Sequence, residues 1–546
     1  MFNQAIAPTI KAPRAHFDRS CRWTGDIDFD YLYPCFVDEV IPGDTHNLSS
    51  NVFGRFNTLL FPLLDNSYID IYYFFAPTRI LWDNAKKFYG EQANPGDSID
   101  YTLPTMPMTT TTGYAENSIH DYFGIPPGIP DEDHISLPHR LYNFVWNEFF
   151  RDQNLQDSVV VDTDDGPDDP TDYVLLKRNK KHDYITSGLP NLLKDPATAQ
   201  VLPLGTSAPL AGEPWVKGIC VTGTADNGNT GNIMRESGES TTKTYTDSWD
   251  PHLNAGDMSV EENGTSNYPN IRVDLTSNGA YADLTNATAA TIAQLRQSFA
   301  IQALLELDSR AGTRYPEQLY AIYGVQYTGE SYRPTFLGSG STRIDINQVP
   351  QTSNDGSNGD VADLAAYGTF NLNGGFTKSF QEPGYIIGVI AARCDLSYTQ
   401  GLDRMWSKTD RYSLYHPLLQ QIGDQATYKR EVILADPATD TGSTGTPDNE
   451  RVFNYQERNA EYKYKNNYYV GQMRPGHSVT LAAWNLSEEL SGPNPTFDTT
   501  FIQSNSPIDR VVAVPSQPDL LVDIKHNLQS ARPMNMYSVP GLGNRL

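Results

Sequence analysis

The residues of this 546-residue chain that could do chemistry do not stand at the spacings that catalytic or metal-binding motifs require. The sequence contains no Walker A loop, no HExxH pair and no GxSxG elbow. The nearest approach to a calcium loop begins at Asp162 and continues with Asp164 and Gly166. Its glycine comes one place early, and its twelfth position is Tyr173, where a bidentate Glu is needed. We therefore interpret residues 162–169 as a solvated acidic loop, and we predict no catalytic residue, no metal site and no cofactor.

Two further polar stretches carry a weaker chemical signal. The run Gly338-Ser339-Gly340-Ser341 resembles the start of a phosphate loop but lacks the lysine that must follow, so we interpret it as a flexible turn. The densest basic cluster after the amino terminus is Lys177, Arg178, Lys180, Lys181 and His182. These side chains either pair with neighbouring acids or contact nucleic acid, and pairing is the favoured interpretation.

The composition favours strands and loops over long helices. The chain has 41 Gly, 37 Pro and 32 Tyr beside only 19% charged residues. Its net charge of −26 means that the chain as a whole repels nucleic acid, so any such contact must be local or bridged by a cation. The expected fold class is mainly β, with large loop insertions and a few helices.

The four cysteines and the apolar segments restrict the class of protein further. Cys21, Cys35, Cys220 and Cys394 form no CxxC pair and stand near no histidine at zinc-ligand spacing, which predicts free thiols. The sequence lacks the apolar core of a signal peptide and any run of about 20 apolar residues. We therefore expect a soluble protein that is made in the cytoplasm.

Apolar periodicity locates the elements that would position these residues. Short β-branched and aromatic runs predict strands at residues 66–76, 385–392, 431–435, 510–514 and 519–524. Helical spacing links Leu141, Phe144, Val145 and Phe149 in one segment, and Ile292, Leu295, Phe299, Ala303 and Leu307 in another. We expect Gly312 just past the end of the second helix. Both helices are expected to pack an apolar face on the sheets.

Changes in composition divide the chain into five segments. We expect a basic extended arm at residues 1–25 and a β core at 26–204 with a helical insertion. A polar, aperiodic surface insertion follows at 205–283. The second part of the core spans 284–524 and contains a helix at 288–311, and a tail follows at 525–546.

Phrases spread over the whole chain resemble those of microvirus major capsid proteins. They occur in the family's order, and an ordered match over the full length is hard to obtain by chance. The phrases are VDEVIPGDT (37–45), PLLDN (62–66), FFAPTRILW (74–82), NEFFRDQN (147–154), KHDY (181–184), AGTRY (311–315), YQER (455–458), EYKY (461–464) and ARPMNMY (531–537). The gokushovirus-like branch is the most similar.

The resemblance implies a structural protein rather than an enzyme. It implies an eight-stranded antiparallel jelly roll, the viral capsid β-barrel, assembled in a T = 1 icosahedral shell around a circular single-stranded DNA genome. Residues 205–283 would form a protrusion at the threefold axes that could serve in host attachment. The protein would be located in the virion, and in the host cytoplasm during assembly.

The resemblance also implies partners. These are identical capsid subunits, the single-stranded DNA genome, a small basic internal DNA-binding protein, a minor pilot protein, a scaffolding protein during assembly and a host surface receptor. The candidate contacts to DNA or the internal protein are Lys11, Arg14, Arg19, Arg22, Lys525, His526 and Arg532. The candidate assembly residues are Arg151, Asp152, Arg314, Tyr315, Gln456, Glu457, Arg458, Pro533, Met534 and Tyr537.

Two other classes of protein fit parts of the composition. A secreted carbohydrate-binding or glycan-active β protein could also be acidic and rich in Tyr, Trp, Gly and Asn, but the missing signal peptide counts against it. A jelly-roll protein from another virus or compartment is the second alternative. Electron microscopy of the expressed protein would separate these possibilities.

Overall fold

The computed structural model describes residues 13–108, 112–194, 292–350, 352, 364–437, 448–490 and 495–537, and the backbone of short strands between residues 210 and 282. The chain divides into two units, residues 1–194 with 306–546, and residues 195–305.

The described strands and helices follow the chain in this order. The strands are β1 (Ala15–Asp18), β2 (Cys21–Ile27), β3 (Tyr33–Val40), β4 (Thr45–Phe56), β5 (Ser67–Pro77), β6 (Thr105–Pro107), β7 (Asp133–Ile135), β8 (Leu210–Ala211), β9 (Thr222–Thr224), β10 (Thr230–Asn232), β11 (Trp249–Asn254), β12 (Asp257–Glu262), β13 (Tyr281–Ala282), β14 (Thr335–Arg343), β15 (Asp345–Pro350), β16 (Leu364–Ser379), β17 (Gly384–Cys394), β18 (Asp424–Tyr428), β19 (Val452–Glu457) and β20 (Leu520–Arg532). The α-helices are α1 (Thr78–Leu81), α2 (Ala85–Phe88), α3 (Ile119–Tyr122), α4 (Leu137–Val145), α5 (Ile292–Arg310), α6 (Tyr315–Tyr323) and α7 (Thr499–Ile502).

The first of two large antiparallel sheets has the order β1-β20-β4-β16-β15, and β2 also pairs with β20. Strand β4 alternates strictly between buried and outward-facing residues over its whole length, as a sheet with one solvated face requires. Strand β20 pairs with β4 from Leu520 opposite Phe56 to Ala531 opposite Thr45. The centre of this sheet therefore joins chain segments that are more than 400 residues apart.

The second sheet has the order β14-β5-β17-β3 and is buried on both faces at its centre. Alternate residues of β5 and β17 point to opposite sides, so each strand reads as a nearly continuous apolar run. One side packs on the first sheet, through residues that include Ile69, Ile71, Ile386 and Ile390. The other side packs under α4 and neighbouring loops, through residues that include Phe74, Ile387, Val389, Leu141 and Val145. The fold is therefore mainly β, as predicted.

The glycine run 338–341 is part of strand β14 and not the flexible turn predicted from its composition. A Cβ atom on Gly338 would lie 2.5 Å from the carbonyl oxygen of Gly375, and one on Gly340 would lie 2.6 Å from that of Asn373. Both oxygens belong to β16 of the opposite sheet. The glycines allow the two sheets to approach each other closely at this point.

Most of the predicted elements are confirmed, but two of the predicted strands are wrong. Strands β5, β17 and β20 cover the runs predicted at 66–76, 385–392 and 519–524. Residues 431–435 and 510–514 instead follow 3₁₀ turns at Lys429–Glu431 and Ile508–Arg510. Most of the apolar residues in both runs are buried, and these include Val432, Ile433, Val511 and Val512. Burial alone thus accounts for their composition.

The predicted helices are present, but only one packs as expected. Helix α4 is buried and continues directly into a π-helical turn, Trp146–Phe150. Helix α5 ends at Arg310, and Gly312 follows with φ +93°, in the left-handed region. Its residue Leu307, which belongs to the same unit as the two sheets, is 41% exposed, and this corrects the expectation that it packs on them.

In the second unit, the described strands form three antiparallel pairs: β8 with β13, β9 with β10, and β11 with β12. They all lie within the predicted insertion at 205–283. Residues 288–291 lie outside the described part of the chain. Among the described residues, no helix is long and apolar enough to cross a bilayer.

Candidate functional site

The described basic residues near the amino terminus lie in or beside strands of the first sheet and not on an extended arm. Strands β1 and β2 pair with β20 of the same chain, which corrects the prediction for residues 15–25. Arg19 binds both carboxylate oxygens of Asp38 at 2.6 Å, and Arg22 pairs with the exposed Asp523. Arg14 donates to the Thr45 hydroxyl at 2.6 Å. Lys11 lies outside the described residues.

The predicted tail residues differ in their access to solvent. Lys525 is exposed, directly opposite Arg22 in the β2–β20 register. Arg532 donates to the carbonyl of Glu39 at 2.7 Å and lies 3.3 Å from a carboxylate oxygen of Asp44. It is therefore largely neutralised within the subunit.

His526 is a correction to the predicted DNA-contacting set. Its ring is fully buried, with Nδ1 2.7 Å from the Ser50 hydroxyl and Nε2 3.1 Å from the carbonyl of Cys35. Burial lowers the pKa of His526 to about 4, so the ring is neutral at physiological pH. A buried, neutral ring is not available to a polyanion.

Two members of the basic cluster at 177–182 pair with acids, as the favoured interpretation predicted. Arg178 lies 3.0 Å from Asp70, and the buried Lys180 lies 2.6 Å from Glu488. The Lys177 ammonium lies over the ring of Tyr31, 5.1 Å from its centre. The remaining members, Lys181 and His182, are exposed.

The phrases around Arg151 and Arg314 meet at the end of the π-helical turn. The Arg314 guanidinium donates to the carbonyls of Asn147 at 3.2 Å and Arg151 at 3.0 Å, at the carboxyl end of the turn, where carbonyls commonly need partners from outside the helix. Arg151 donates to the carbonyl of Gln156 at 2.8 Å, and the Asp152 N–H donates to the Gln156 side chain at 3.0 Å. These residues stabilise the subunit itself. Tyr315, by contrast, is 60% exposed.

The phrases YQER and EYKY also join distant parts of the subunit. Gln456 is buried and donates to the carbonyl of Tyr184. Glu457 pairs with Lys463, and Arg458 donates to the carbonyl of Tyr412 at 3.3 Å. Gln456 therefore stabilises the interior of the subunit, whereas Glu457 and Arg458 lie at its surface.

The sequence analysis missed an extensive surface of exposed apolar side chains, which we call the aromatic surface. Two irregular segments form it, and they contact each other where the Tyr415 N–H donates to the Tyr462 hydroxyl at 3.3 Å. The Lys408 ammonium lies 3.9 Å from the centre of the Tyr462 ring. The aromatic surface comprises Met405, Trp406, Tyr412, Leu414, Tyr415, Leu418, Ile422, Tyr462, Tyr464, Tyr468 and Val470. Exposed apolar patches of this kind mark interaction sites.

The acidic run 162–169 is not simply a solvated loop. Asp168 is buried beside Arg140, whose side chain is fully buried as well. The guanidinium binds both Asp168 carboxylate oxygens, at 2.5 and 2.8 Å, and donates to the carbonyls of Leu81 and Asp164. Asp165 accepts from the Trp82 ring N–H at 2.7 Å. Through these contacts, the run stabilises the layer of helices and loops that covers the second sheet.

Three histidines form a compact cluster in that layer. His120 Nδ1 lies 3.0 Å from His139 Nε2, and His134 Nε2 lies 2.8 Å from the Tyr114 hydroxyl. Burial lowers the pKa of His120 to about 4 and also lowers the pKa values of His134 and His139. Within the described residues no group of His, Cys, Asp or Glu is arranged to hold a metal ion.

The histidine cluster predicts acid sensitivity. Because burial depresses the folded-state pKa, the unfolded chain binds more protons below about pH 6.5, and stability falls as the pH drops from there towards 4. His46 and His526 act in the same direction, and Asp519, whose pKa burial raises to about 7, acts in the opposite one. The melting temperature of the subunit should fall between pH 7 and 5, and fall less in His139→Gln. His182→Gln is the exposed control; an equal pH dependence in all three proteins would contradict the prediction.

Comparison with known proteins decides the family. A model of the phage family described as "Capsid protein (F protein)" matches residues 5–542. This chain belongs to that capsid protein family. Its capsid protein relatives include Capsid protein VP1 of Bdellovibrio phage phiMH2K, 38% identical over 99% of this chain and 98% of the relative. Capsid protein VP1 of Chlamydia phage 1 is 36% identical over 98% and 96%, and that of Spiroplasma virus 4 is 30% identical over 94% and 92%.

The family match confirms the prediction of a microvirus major capsid protein of the gokushovirus type. The capsid protein is a structural component of the virion and assembles with identical subunits. The match decides against the carbohydrate-binding alternative. Every contact described above is intramolecular, so the exposed groups are the ones that remain for other subunits, the genome and the host.

Proposed function

We propose that the capsid protein is an eight-stranded jelly roll that forms a T = 1 icosahedral shell around a circular single-stranded DNA genome and has no catalytic role. The family match over nearly the whole chain carries this proposal. The strand order supports the jelly roll. With β1 and β2 counted as one strand, the sheets read β2-β20-β4-β16 and β3-β17-β5-β14, and β15 is an additional edge strand. Eight strands in two such sheets form the capsid jelly roll.

Contacts between subunits would come from the exposed apolar groups. The aromatic surface and the exposed face of α5 are too apolar to remain in water in a finished particle. Of the predicted assembly residues, Tyr315, Met534 and Tyr537 are exposed, and Pro533, Glu457 and Arg458 lie at least partly at the surface. The other four predicted residues would act indirectly, because their contacts within the subunit hold neighbouring chain segments in place. They are Arg151, Asp152, Arg314 and Gln456.

Charge must be segregated in a shell of subunits with a net charge of −26. The solvated face of the first sheet carries Arg22, Arg55 and Lys525 against Asp523, which pairs with Arg22, and its uncharged polar residues include Asn47, Asn51 and Asn527. We assign this face to the shell interior, together with Lys11 and Arg14. A small basic internal protein would supply further positive charge, and the pilot and scaffolding proteins would join during assembly in the host cytoplasm.

The insertion at 205–283 is proposed as the threefold protrusion and as the contact to a host surface receptor. Its described strands form three short antiparallel pairs, of which β9 with β10 and β11 with β12 are hairpins and β8 with β13 joins the two ends of the insertion. Recognition loops on a rigid scaffold commonly have this organisation.

Electron microscopy and an adsorption assay test both parts of the proposal. The wild-type chain should form closed particles that protect single-stranded DNA from nuclease. A variant in which a short linker replaces residues 208–280 should still form particles but should lose adsorption to host cells. Wild-type protein that remains as solitary subunits would contradict the shell, and undiminished adsorption of the variant would contradict the recognition role.

A further inference from the structure

A cleft of about 560 Å³ lies over the second sheet, on the side that faces away from the first sheet. We call it the basic cleft, because six cationic side chains line it against two carboxylates, Asp70 and Asp152. The cations are Arg151, Arg178, Lys180, Lys181, Arg314 and Arg393. In a chain with a net charge of −26, this local excess of positive charge indicates an acidic partner.

Ion pairs within the subunit neutralise the inner part of the basic cleft. Asp70 lies 3.0 Å from Arg178 and 2.7 Å from Arg393. Lys180 lies 2.6 Å from Glu488. These side chains are at most 20% exposed, so they form a rigid floor and do not offer their charge to another molecule.

The rim of the basic cleft keeps its positive charge. Lys181 is exposed and has no ion pair among the described residues. Arg151 is half-buried, and burial together with the charge of Arg314 lowers its pKa, so the acids of its own subunit compensate it incompletely. Carboxylates from outside the subunit can pair with both rim cations.

A turn elsewhere on the same unit carries the opposite charge. Asp131, Glu132 and Asp133, which we call the acidic tip, are all exposed, and none of them has an ion pair within the described part of the chain. The backbone of the tip is fixed, because the Met108 N–H donates to the Glu132 carbonyl at 3.2 Å and Asp133 begins strand β7. Adjacent like charges on a fixed turn repel each other, and a cationic partner relieves this repulsion.

Apolar side chains accompany the charges on both surfaces. Ile129 and Ile135 flank the acidic tip and are exposed. Phe336 lines the basic cleft beside Tyr72 and is also exposed. Contacts between protein subunits combine such apolar area with charges at the periphery. The two surfaces therefore match each other in charge and in polarity.

The acidic tip and the basic cleft of one subunit lie at opposite ends of one helical segment. Helix α4 begins at Leu137, just after the tip, and the π-helical turn ends at Phe150, next to Arg151. With a rise of about 1.5 Å per residue, this segment is roughly 20 Å long. No residue of the tip lines the cleft of its own subunit. The complement of each tip is therefore the cleft of another copy.

We propose that the acidic tip of one copy docks in the basic cleft of a neighbouring copy. The tip carboxylates pair there with Lys181 and with Arg151, in addition to the contacts that Arg151 makes within its own subunit. The two isoleucines pack beside Phe336. The inference rests on the proposed shell, in which the solvated face of the first sheet is turned towards the genome and the cleft is turned away from it. A neighbouring copy is then the acidic partner that every cleft meets.

An exchange of charges between the two surfaces tests the docking on the full-length protein. Lys181→Glu and Glu132→Lys should each lower the particle yield about tenfold, because like charges then face each other across the contact. Together in one chain they should restore the yield to within about threefold of wild type. Both side chains are exposed, so the circular dichroism melting curve of unassembled subunits should stay unchanged.

The matched control exchanges charges near helix α2, outside both surfaces. Lys86→Glu and Glu91→Lys change exposed residues and should leave the particle yield close to wild type, singly and together. An equal loss from the control pair would show a general effect of charge and would overturn the docking. Normal yields from Lys181→Glu and Glu132→Lys, or a double variant no better than the single ones, would contradict it as well. Absence of particles from the wild type contradicts the proposed shell instead, so the two failures are distinguishable.

Cross-linking detects the contact directly in assembled particles. Cys21→Ser removes the exposed thiol of the described residues, and in that chain Glu132→Cys with Lys181→Cys should be joined between copies by a short bis-maleimide. The ladder of linked chains should end at two, three or five, according to the symmetry axis that relates the copies. Each single cysteine variant should run as one chain on a denaturing gel. A link within one chain, or no link at all, would show that the tip does not reach a neighbouring cleft.

Discussion

Replacing Asp168 with alanine should destabilise the subunit by about 3–5 kcal/mol, because it leaves the fully buried Arg140 guanidinium without its buried counter-charge and with only the solvent-exposed Asp164 carboxylate, 3.4 Å away. Proteins of ordinary stability have only about 5–15 kcal/mol in total, so the loss should also lower the yield of folded subunit. The free energy of unfolding, measured by denaturant titration of unassembled subunits, gives the effect directly.

Two matched variants make the Asp168 prediction specific. Asp169→Ala removes the neighbouring carboxylate, which is exposed and caps a single turn through the Thr171 N–H, and should destabilise the subunit much less than Asp168→Ala. Arg140→Met with Asp168→Leu removes both charges and should be less harmful than Asp168→Ala alone. If Asp168→Ala were no worse than Asp169→Ala, the buried ion pair would not hold this layer in place.

The central strands of the second sheet were predictable from sequence because they are buried on both faces. Such strands read as continuous apolar runs, and the runs of β5 and β17 were found. Residues 431–435 and 510–514 have the same composition but form turns, since an apolar run reports burial rather than an extended backbone. Strand β4 was missed because its buried positions include His46, Ser50 and Gly54, which hides the alternation of its burial in the sequence.

The pairing of the strands could not be read from the sequence. Strands β1 and β2 each pair with β20, about 500 residues away, and nothing local in a basic, proline-containing segment indicates that partner. Because long-range contacts cannot be read from the sequence, the burial of two polar residues was not predicted either. Asp168 and His526 are polar, so the sequence does not indicate that they are buried. Only the fold shows that Asp168 pairs with Arg140 in the interior and that His526 forms a hydrogen bond with Ser50 there.

The phrases that resemble the capsid family predicted the function, but they did not predict which residues contact each other in the folded subunit. Arg151 and Arg314 are distant in sequence, and their meeting at one helix end depends on how the loops cross the second sheet. The aromatic surface escaped notice for a different reason. Its residues follow neither a helical nor a strand period, and the only available signal was the unusual density of Tyr and Trp in segments 405–422 and 462–470.

Replacing Trp406 and Leu418 with serine should abolish shell formation while leaving the subunit folded. The two side chains are 72% and 83% exposed, so their loss removes little packing within the subunit. In a contact with another copy, truncating a central aromatic anchor costs about 2 kcal/mol or more. A closed symmetric shell repeats each contact, so the same loss recurs at every equivalent interface. We therefore expect sedimentation and negative-stain microscopy to show subunits in place of particles, with an unchanged circular dichroism melting curve.

The matched control for the aromatic surface is Leu64→Ser with Tyr89→Ser, which removes apolar side chains that are 59% and 57% exposed elsewhere on the same unit. This pair should assemble at close to the wild-type yield. Normal particles from the Trp406 and Leu418 variant would show that the aromatic surface is not a contact between subunits. Equal failure of both pairs would mean that assembly responds to any loss of exposed apolar area. The proposed interface therefore requires that the Trp406 and Leu418 variant fails to assemble and that the Leu64 and Tyr89 variant assembles. An interface between copies has a fixed location, and exposed apolar side chains elsewhere on the subunit do not contribute to it.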